Sequence, residues 1–310
     1  FPEIFEYLMK LSIERPITLF IDEFQEFFKV NKSVYSDMQR IWDMYHTKAH
    51  INLIVCGSIF SMMTKIFKDK KEPLYNRQTR FMSIKPFTPA VLKEIMAEYN
   101  PNYTSEDLLA LYSFTGGVAK YVQLLVDAGA TTKTKMLNHI IKADSVFLGE
   151  GKAILIEEFG KDYGVYFSIL SAIARGKTLR SEIEQIVGRE IGGYLTKLEK
   201  EYEVITKNQP IFEKSSTKNV RYTIEDNFFT FWFRFIYKYN YMLEIENYDA
   251  VKTIINRDYE TFSGKMLERY FKRVLMESKA YTRIGSWWDR KGENEIDIVA
   301  ENELNDEAVF

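Results

Sequence analysis

Residues 17–25 read Ile-Thr-Leu-Phe-Ile-Asp-Glu-Phe-Gln, and no other stretch constrains the fold as strongly. An apolar and β-branched run, Ile17 to Ile21, leads straight into two adjacent acids, Asp22 and Glu23. The run is short, does not alternate and is rich in branched and aromatic side chains, which suits a strand buried on both faces of a parallel sheet. Ligands of open α/β sheets bind outside the carboxyl ends of the strands, and the acids fall there. A second run, Ile51 to Cys56, ends in Gly57-Ser58 and reads as a neighbouring strand, so that Ser58 reaches the same edge. Between the two, Val34, Met38, Ile41, Trp42 and Tyr45 recur at helical spacing, and Phe60, Met63, Ile66 and Phe67 do so afterwards. Residues 74–87 read as a basic turn and a third short strand. Strands alternating with helices argue for a parallel α/β sheet.

At 310 residues the chain has room for two or three domains. A net charge of −2 gives no overall attraction to nucleic acid. No apolar run approaches the ~20 residues that span a bilayer. Phe1-Pro2-Glu3 lacks the basic start of a signal peptide. The expectation is a cytoplasmic protein with no membrane partner. A single cysteine, Cys56, excludes an internal disulfide, and with only three histidines it argues against a structural zinc site. Cys56 reads as a small buried hydrophobe. The chain starts at Phe1 rather than Met and stops as an apolar run begins at Glu307–Phe310, so it reads as part of a longer protein.

The pattern changes at Thr88-Pro89, a helix cap followed by proline at the first helical position. From there to about residue 143 only helices are expected. Thr104 starts one of them, Gly116-Gly117 separates two, and Gly129 ends the next. Residues 144–160 read as a linker. Helices at Val165–Ala174, Leu179–Val187 and Ile191–Tyr202 precede two strands, Val204–Lys207 and Val220–Ile224, joined by the polar stretch Glu213–Asn219. That order describes a winged helix-turn-helix. Its third helix carries Arg189, Lys197 and Lys200 but also Glu190, Glu199, Glu201 and Glu203. The acids cancel the charge a DNA-reading helix needs, so DNA and a protein partner both stay open. The aromatic run 226–241 reads as a buried helix joining two domains. An amphipathic helix, Ser263–Met276, and a strand, Glu295–Ala300, close the chain.

The ordered set of motifs resembles a known family. Leu-Phe-Ile-Asp22-Glu23-Phe-Gln resembles a Walker B strand, Cys56-Gly57-Ser58 a sensor 1 strand, and Thr115-Gly-Gly-Val-Ala-Lys-Tyr121 part of a helical lid. With Leu74-Tyr-Asn-Arg77-Gln-Thr-Arg80 and Lys85-Pro-Phe, the order is similar to that of the archaeal-type ATPases of the AAA+/STAND kind, also common in Bacteroidetes. The resemblance implies an α/β P-loop NTPase core with a partial parallel sheet (1–88), an α-helical lid (89–143), a winged helix-turn-helix (160–225) and a truncated α/β PD-(D/E)XK nuclease-like domain (226–310). It implies ATP and Mg²⁺ as ligands. Asp22 would hold the metal, Glu23 polarise the attacking water and Ser58 sense the γ-phosphate. Arg77 or Arg80 would complete a site, within the chain or across subunits of a homo-oligomer. In the nuclease-like part it implies Glu268 and Asp297 as metal ligands, with a Glu-x-Lys on the next strand.

One departure matters. The sequence has no Gly-x-x-x-x-Gly-Lys-Ser/Thr, and Gly151-Lys152, Gly176-Lys177 and Gly264-Lys265 each lack the upstream glycine. The phosphate-binding loop is expected before Phe1, which leaves this segment inactive on its own and the full-length protein an ATPase driving conformational change. The alternatives are a non-enzymatic DNA-binding or regulatory protein, and a metal-dependent nuclease.

Overall fold

The computed structural model describes residues 1–214, 218–305 and 307–309. The chain divides into two compact units, Phe1–Ser83 and Ile84–Phe310.

In the first unit β1 (Ile17–Ile21) pairs in parallel with β2 (Ile51–Val55), Ile17 opposite Ile51 and Ile21 opposite Val55. The Val34–Tyr45 helix lies in the connection between them, the crossover that a parallel pair requires. Phe5 and Met9 of the Pro2–Glu14 helix, Met38 and Ile41, and Met63 and Ile66 of the Phe60–Lys68 helix build the core against Ile21 and Phe24. Burial on both faces is not borne out within this unit. Thr18 and Phe20 are exposed, as are Asn52 and Ile54 opposite them, Phe20 at 60%. Strand side chains alternate, and the core takes Leu19 and Ile21 of β1 and Ile51, Leu53 and Val55 of β2. The third strand expected within 74–87 does not form. Met82 and Ile84 are exposed, Pro86 has no N–H to give a ladder, and Phe87 instead donates its N–H to the Gly117 carbonyl at 2.7 Å.

The second unit begins as expected. Thr88 accepts a hydrogen bond from the Val91 N–H, with Pro89 opening the helix Pro89–Tyr99. Thr104 and Asp107 form a reciprocal capping box, and Gly116 ends that helix in the left-handed region. The 144–160 linker is corrected: Val146–Phe159 is a helix. Phe147, Gly151, Leu155 and Phe159 are buried at four-residue spacing, and two glycines mask this ridge in the sequence. A Cβ on Gly151 would stand 2.5 Å from the Trp232 ring, so the glycine is where the indole seats.

Helices Tyr163–Ala174, Arg180–Val187 and Gly192–Lys200 precede an antiparallel pair, β3 (Ile205–Asn208) and β4 (Arg221–Ile224). Residues 215–217 of their connection lie outside the described residues. The aromatic run is largely buried as expected as far as Ile236, but Tyr237, Lys238, Asn240 and Tyr241 at its end are exposed. Asn227–Phe231 is α-helical and Trp232–Tyr237 continues as a π-helix. The amphipathic helix is longer than its expected span and covers Tyr248–Ser278. It leads to an antiparallel sheet of β5 (Arg283–Trp288), β6 (Glu295–Asn302) and β7 (Glu307–Val309), in that order. Phe310, the last of the expected apolar run, is outside the described residues. Among the described residues no helix is long and apolar enough to cross a membrane.

Gly117 sits at φ +78°, and a Cβ there would stand 2.5 Å from the Phe87 carbonyl oxygen. Gly117→Ala adds both strain and a clash, and is expected to lower stability by about 2–3 kcal/mol. The midpoint of urea unfolding measures it; an unchanged midpoint would show that the segment shifts freely.

Candidate functional site

Because β1 and β2 are parallel, their carboxyl ends share one edge. The ladder continues past both strands. Cys56 donates its N–H to the Ile21 carbonyl at 3.0 Å, and Phe24 donates to the Cys56 carbonyl at 2.9 Å. Asp22 and Glu23 are thereby held against Cys56-Gly57-Ser58.

Asp22 Oδ1 accepts the Cys56 thiol at 2.7 Å and the Glu23 N–H at 2.9 Å. The thiol bond foremost, then the backbone bond, holds this carboxyl below its usual range, because both favour the anion. The same contact with Asp22 pushes the Cys56 thiol up. Cys56 is therefore not the buried hydrophobe expected. It is half-buried, and its thiol donates to a carboxylate. Glu23 has φ 47° and ψ 46°, a left-handed conformation that costs an L-residue with a side chain about 1–2 kcal/mol. Such outliers cluster at functional sites.

Glu23 Oε2 accepts the Ser58 hydroxyl at 2.9 Å and also the Gln25 amide. Ser58 could have capped the following helix, but Ile59 occupies the cap position and the hydroxyl goes to Glu23 instead. Gln25, which sequence reasoning missed, is 1% exposed and places Nε2 3.4 Å from Ser58 Oγ. Its signal was a polar residue directly after the acid pair and Phe24, where a turn in solvent is the ordinary expectation. A Cβ on Gly57 would lie 2.1 Å from Gln25 Oε1, so the glycine makes room for the amide.

Asp22, Glu23 and Ser58 thus come together. Arg77 is bonded elsewhere. It grips Asp43 through Nε at 2.9 Å and Nη2 at 2.7 Å, donates to the Pro73 carbonyl, and holds the Asp43 carboxyl below its usual range. Arg80 is exposed.

The second unit holds another cluster. Glu268 and Lys272 stand one turn apart on the Tyr248–Ser278 helix, and Asp297 lies on β6. Lys272 donates to Ser286 Oγ at 2.6 Å, and Ser286 sits where the β5–β6 register shifts. Burial and then the charge of Asp297 raise the Glu268 pKa. Burial lowers that of Lys272, against the pull of Glu268 and Asp297. The structure thereby brings Glu268 and Asp297 within electrostatic reach of each other and adds Lys272, which the sequence reading did not name. Among the described residues no group of three His, Cys, Asp or Glu side chains converges to hold a metal.

Residues 2–125 match a family described as an ATPase domain predominantly from Archaea. Residues 232–310 match a family of archaeal and bacterial proteins of unknown function, DUF234. The chain is 33% identical to the uncharacterized protein MJECL04 of Methanocaldococcus jannaschii, an alignment covering 94% of this chain and 66% of that one. A shorter stretch, 18% of the chain, is 34% identical to over half of the uncharacterized protein MJ0424 of the same organism. The fold is similar to that of the Walker-type ATPase PABY2304 of Pyrococcus abyssi. The TM-score is 0.53 and the identity 19%, over 75% of this chain and 67% of that one. The match over residues 2–125 is thus to an ATPase domain, and the likeness to PABY2304 is one of fold. The chain spans about two thirds of the length of MJECL04.

The match over residues 2–125 encloses the whole Asp22–Glu23–Ser58 cluster. None of the Gly-Lys pairs lies between a strand and a helix. Gly151 and Gly264 are inside helices, and Gly176 follows the end of one.

Gly57→Ala would drive a methyl group into Gln25 and into Met63, whose Sδ would be 2.7 Å away. Overpacking of this kind is expected to cost about 1–3 kcal/mol. Thermal unfolding checks it; an undisturbed transition would show that Gln25 has another place to go.

Proposed function

We propose that the edge of the β1–β2 sheet is the hydrolytic centre of an ATPase of the AAA+/STAND kind, with ATP and Mg²⁺ bound there in the full-length protein. The observation that carries this reading is the convergence of Asp22, Glu23 and Ser58, from two parallel strands, at one carboxyl edge. The residues fit a hard divalent cation. Asp22 is held in its anionic form, and Oδ2 is outside the two bonds that Oδ1 accepts. When bound, Mg²⁺ supplies charge neutralisation for the phosphates.

Glu23 is the residue that orients the attacking water and takes its proton. Its carboxylate is already engaged at Oε2 by Ser58, which leaves the other oxygen for the water. The left-handed turn at Glu23 aims the side chain across to the end of β2. Arg80, exposed in this chain, is better suited than Arg77 to act on the γ-phosphate, since Arg77 is occupied by Asp43. Hydrolysis would drive rearrangement of the elements after residue 88. In the full-length protein, Glu23→Gln is expected to reduce Mg²⁺-ATP turnover roughly 10²–10⁴-fold while nucleotide binding persists. Turnover that survives Glu23→Gln would remove Glu23 from the mechanism and the reading with it.

A second reading has its own observation, the Glu268–Lys272–Asp297 cluster beside the register shift of β5 and β6. Two carboxylates and a lysine, brought together from a helix and a strand, are the parts of a metal-assisted phosphodiester hydrolase. In that reading the full-length protein cleaves DNA with Mg²⁺ or Mn²⁺, and Asp297→Ala abolishes cleavage without touching ATP turnover. Gel assays on a DNA oligonucleotide decide it; cleavage unaffected by Asp297→Ala would assign the acids a structural role.

A further inference from the structure

We propose that Gln25 is a positioning residue for Glu23, an assignment that rests on the ATPase reading of this site. The side chain is buried, yet it is a primary amide rather than an aliphatic group. Its Nε2 donates to Glu23 Oε2 and points at Ser58 Oγ. Its Oε1 is buried with no hydrogen-bond partner among the described residues. The amide can face Glu23 only this way round, because the reverse would set a carbonyl oxygen against a carboxylate.

An aliphatic side chain would fill the same volume without stranding a carbonyl. A buried polar group that is only half satisfied therefore needs a reason, and the bond to Glu23 supplies one. The backbone around Gln25 is fixed from two sides. Phe24 donates its N–H to the Cys56 carbonyl, and the Tyr35 hydroxyl donates to the carbonyls of Phe24, at 3.1 Å, and of Gln25, at 3.4 Å. Gly57 leaves the space that the amide fills. Glu23, by contrast, is exposed and sits on a strained turn, so its carboxylate has no packing to hold it. Gln25 and Ser58 together load one oxygen of Glu23 and stop the carboxylate rotating. The other oxygen is then presented to water in a single orientation, and orientation of this kind carries much of a catalytic group's effect.

The test uses the full-length protein with Mg²⁺-ATP. Gln25→Leu is expected to lower kcat roughly 10- to 100-fold with the KM for ATP unchanged. In a Glu23→Gln background the same change should add no further loss, as for residues acting as one unit. Gln25→Glu covers the case in which Gln25→Leu fails to fold. Its carboxyl can donate to Glu23 only when protonated, so its kcat relative to the parent should rise as pH falls from 8 to 6. A packing role moves neither the split between kcat and KM nor that pH profile. If Glu23→Gln stops turnover but Gln25→Leu leaves kcat intact, or lowers kcat and raises KM together, the ATPase reading stands and this inference is overturned. If Glu23→Gln leaves turnover unchanged, both fall.

Discussion

The parallel pairing of β1 with β2 is the constraint on which the candidate site depends. Parallel strands bring like ends together, so residues 34 positions apart in sequence, Asp22 and Cys56, share a hydrogen bond. Each later contact follows from that register. With Ile21 opposite Val55, the next residue on β2 reaches Asp22, and the residue two further on reaches Glu23. A register slip of one residue would put Gly57 where the thiol is and turn the side chains of one strand to the other face. The site is therefore as rigid as the ladder beneath it. The Cys56-to-Ile21 and Phe24-to-Cys56 backbone bonds extend that ladder under the acids themselves.

The second unit is organised by a different force. Phe228, Phe231, Trp232, Phe233 and Phe235 are each 2% exposed or less. Full burial of such a ring contributes about 1.5–3 kcal/mol, so this segment dominates the local core. Phe228 lies on Tyr121, Phe231 on Phe114, Phe233 on Phe167 and Phe235 on Phe262. The Trp232 indole N–H donates to the Leu148 carbonyl at 3.0 Å. Helices from before, around and after the run thus share one interior. Within the π-helical turn Trp232, Phe233 and Tyr237 all pack on Phe167, while Phe235 packs on Phe262. A change within residues 84–143 has a packed path to the long helix that carries Glu268, Arg269 and Lys272.

Arg269 marks one polar point in that path. It donates to Asn227 Oδ1 at 3.0 Å, and the Asn227 amide donates to the Tyr112 carbonyl at 3.3 Å. Burial lowers the guanidinium's pKa, and the charges of Glu225 and Asp226 oppose that shift. The residues that bind the long helix to the segment 105–115 are therefore directional as well as apolar, which holds the two in one relative register.

Much of this was legible in the chain. Walker-like residues Ile17 to Glu23, the strand before Gly57-Ser58, the Thr88 and Thr104 caps and the burial of the aromatic run all follow from local chemistry: β-branched runs, cap residues and ring hydrophobicity act within a few residues of themselves. What resisted was non-local. The helix Val146–Phe159 was hidden because Gly149 and Gly151 read as linker, and only the Trp232 ring gives Gly151 a reason to be there. Residues 74–87 carried strand-like composition, but a strand exists only where a neighbour offers its ladder. The sequence by itself determined that two acids end a strand, that Ser58 ends another, and that the aromatic run is interior, because propensity and hydrophobicity are properties of the residues. Only the tertiary structure decided that Cys56 serves Asp22, that Gln25 is buried beside Ser58, that Arg77 is taken by Asp43 and that Asp297 comes near Glu268 and Lys272, because partners far apart in sequence are chosen by packing rather than by spacing.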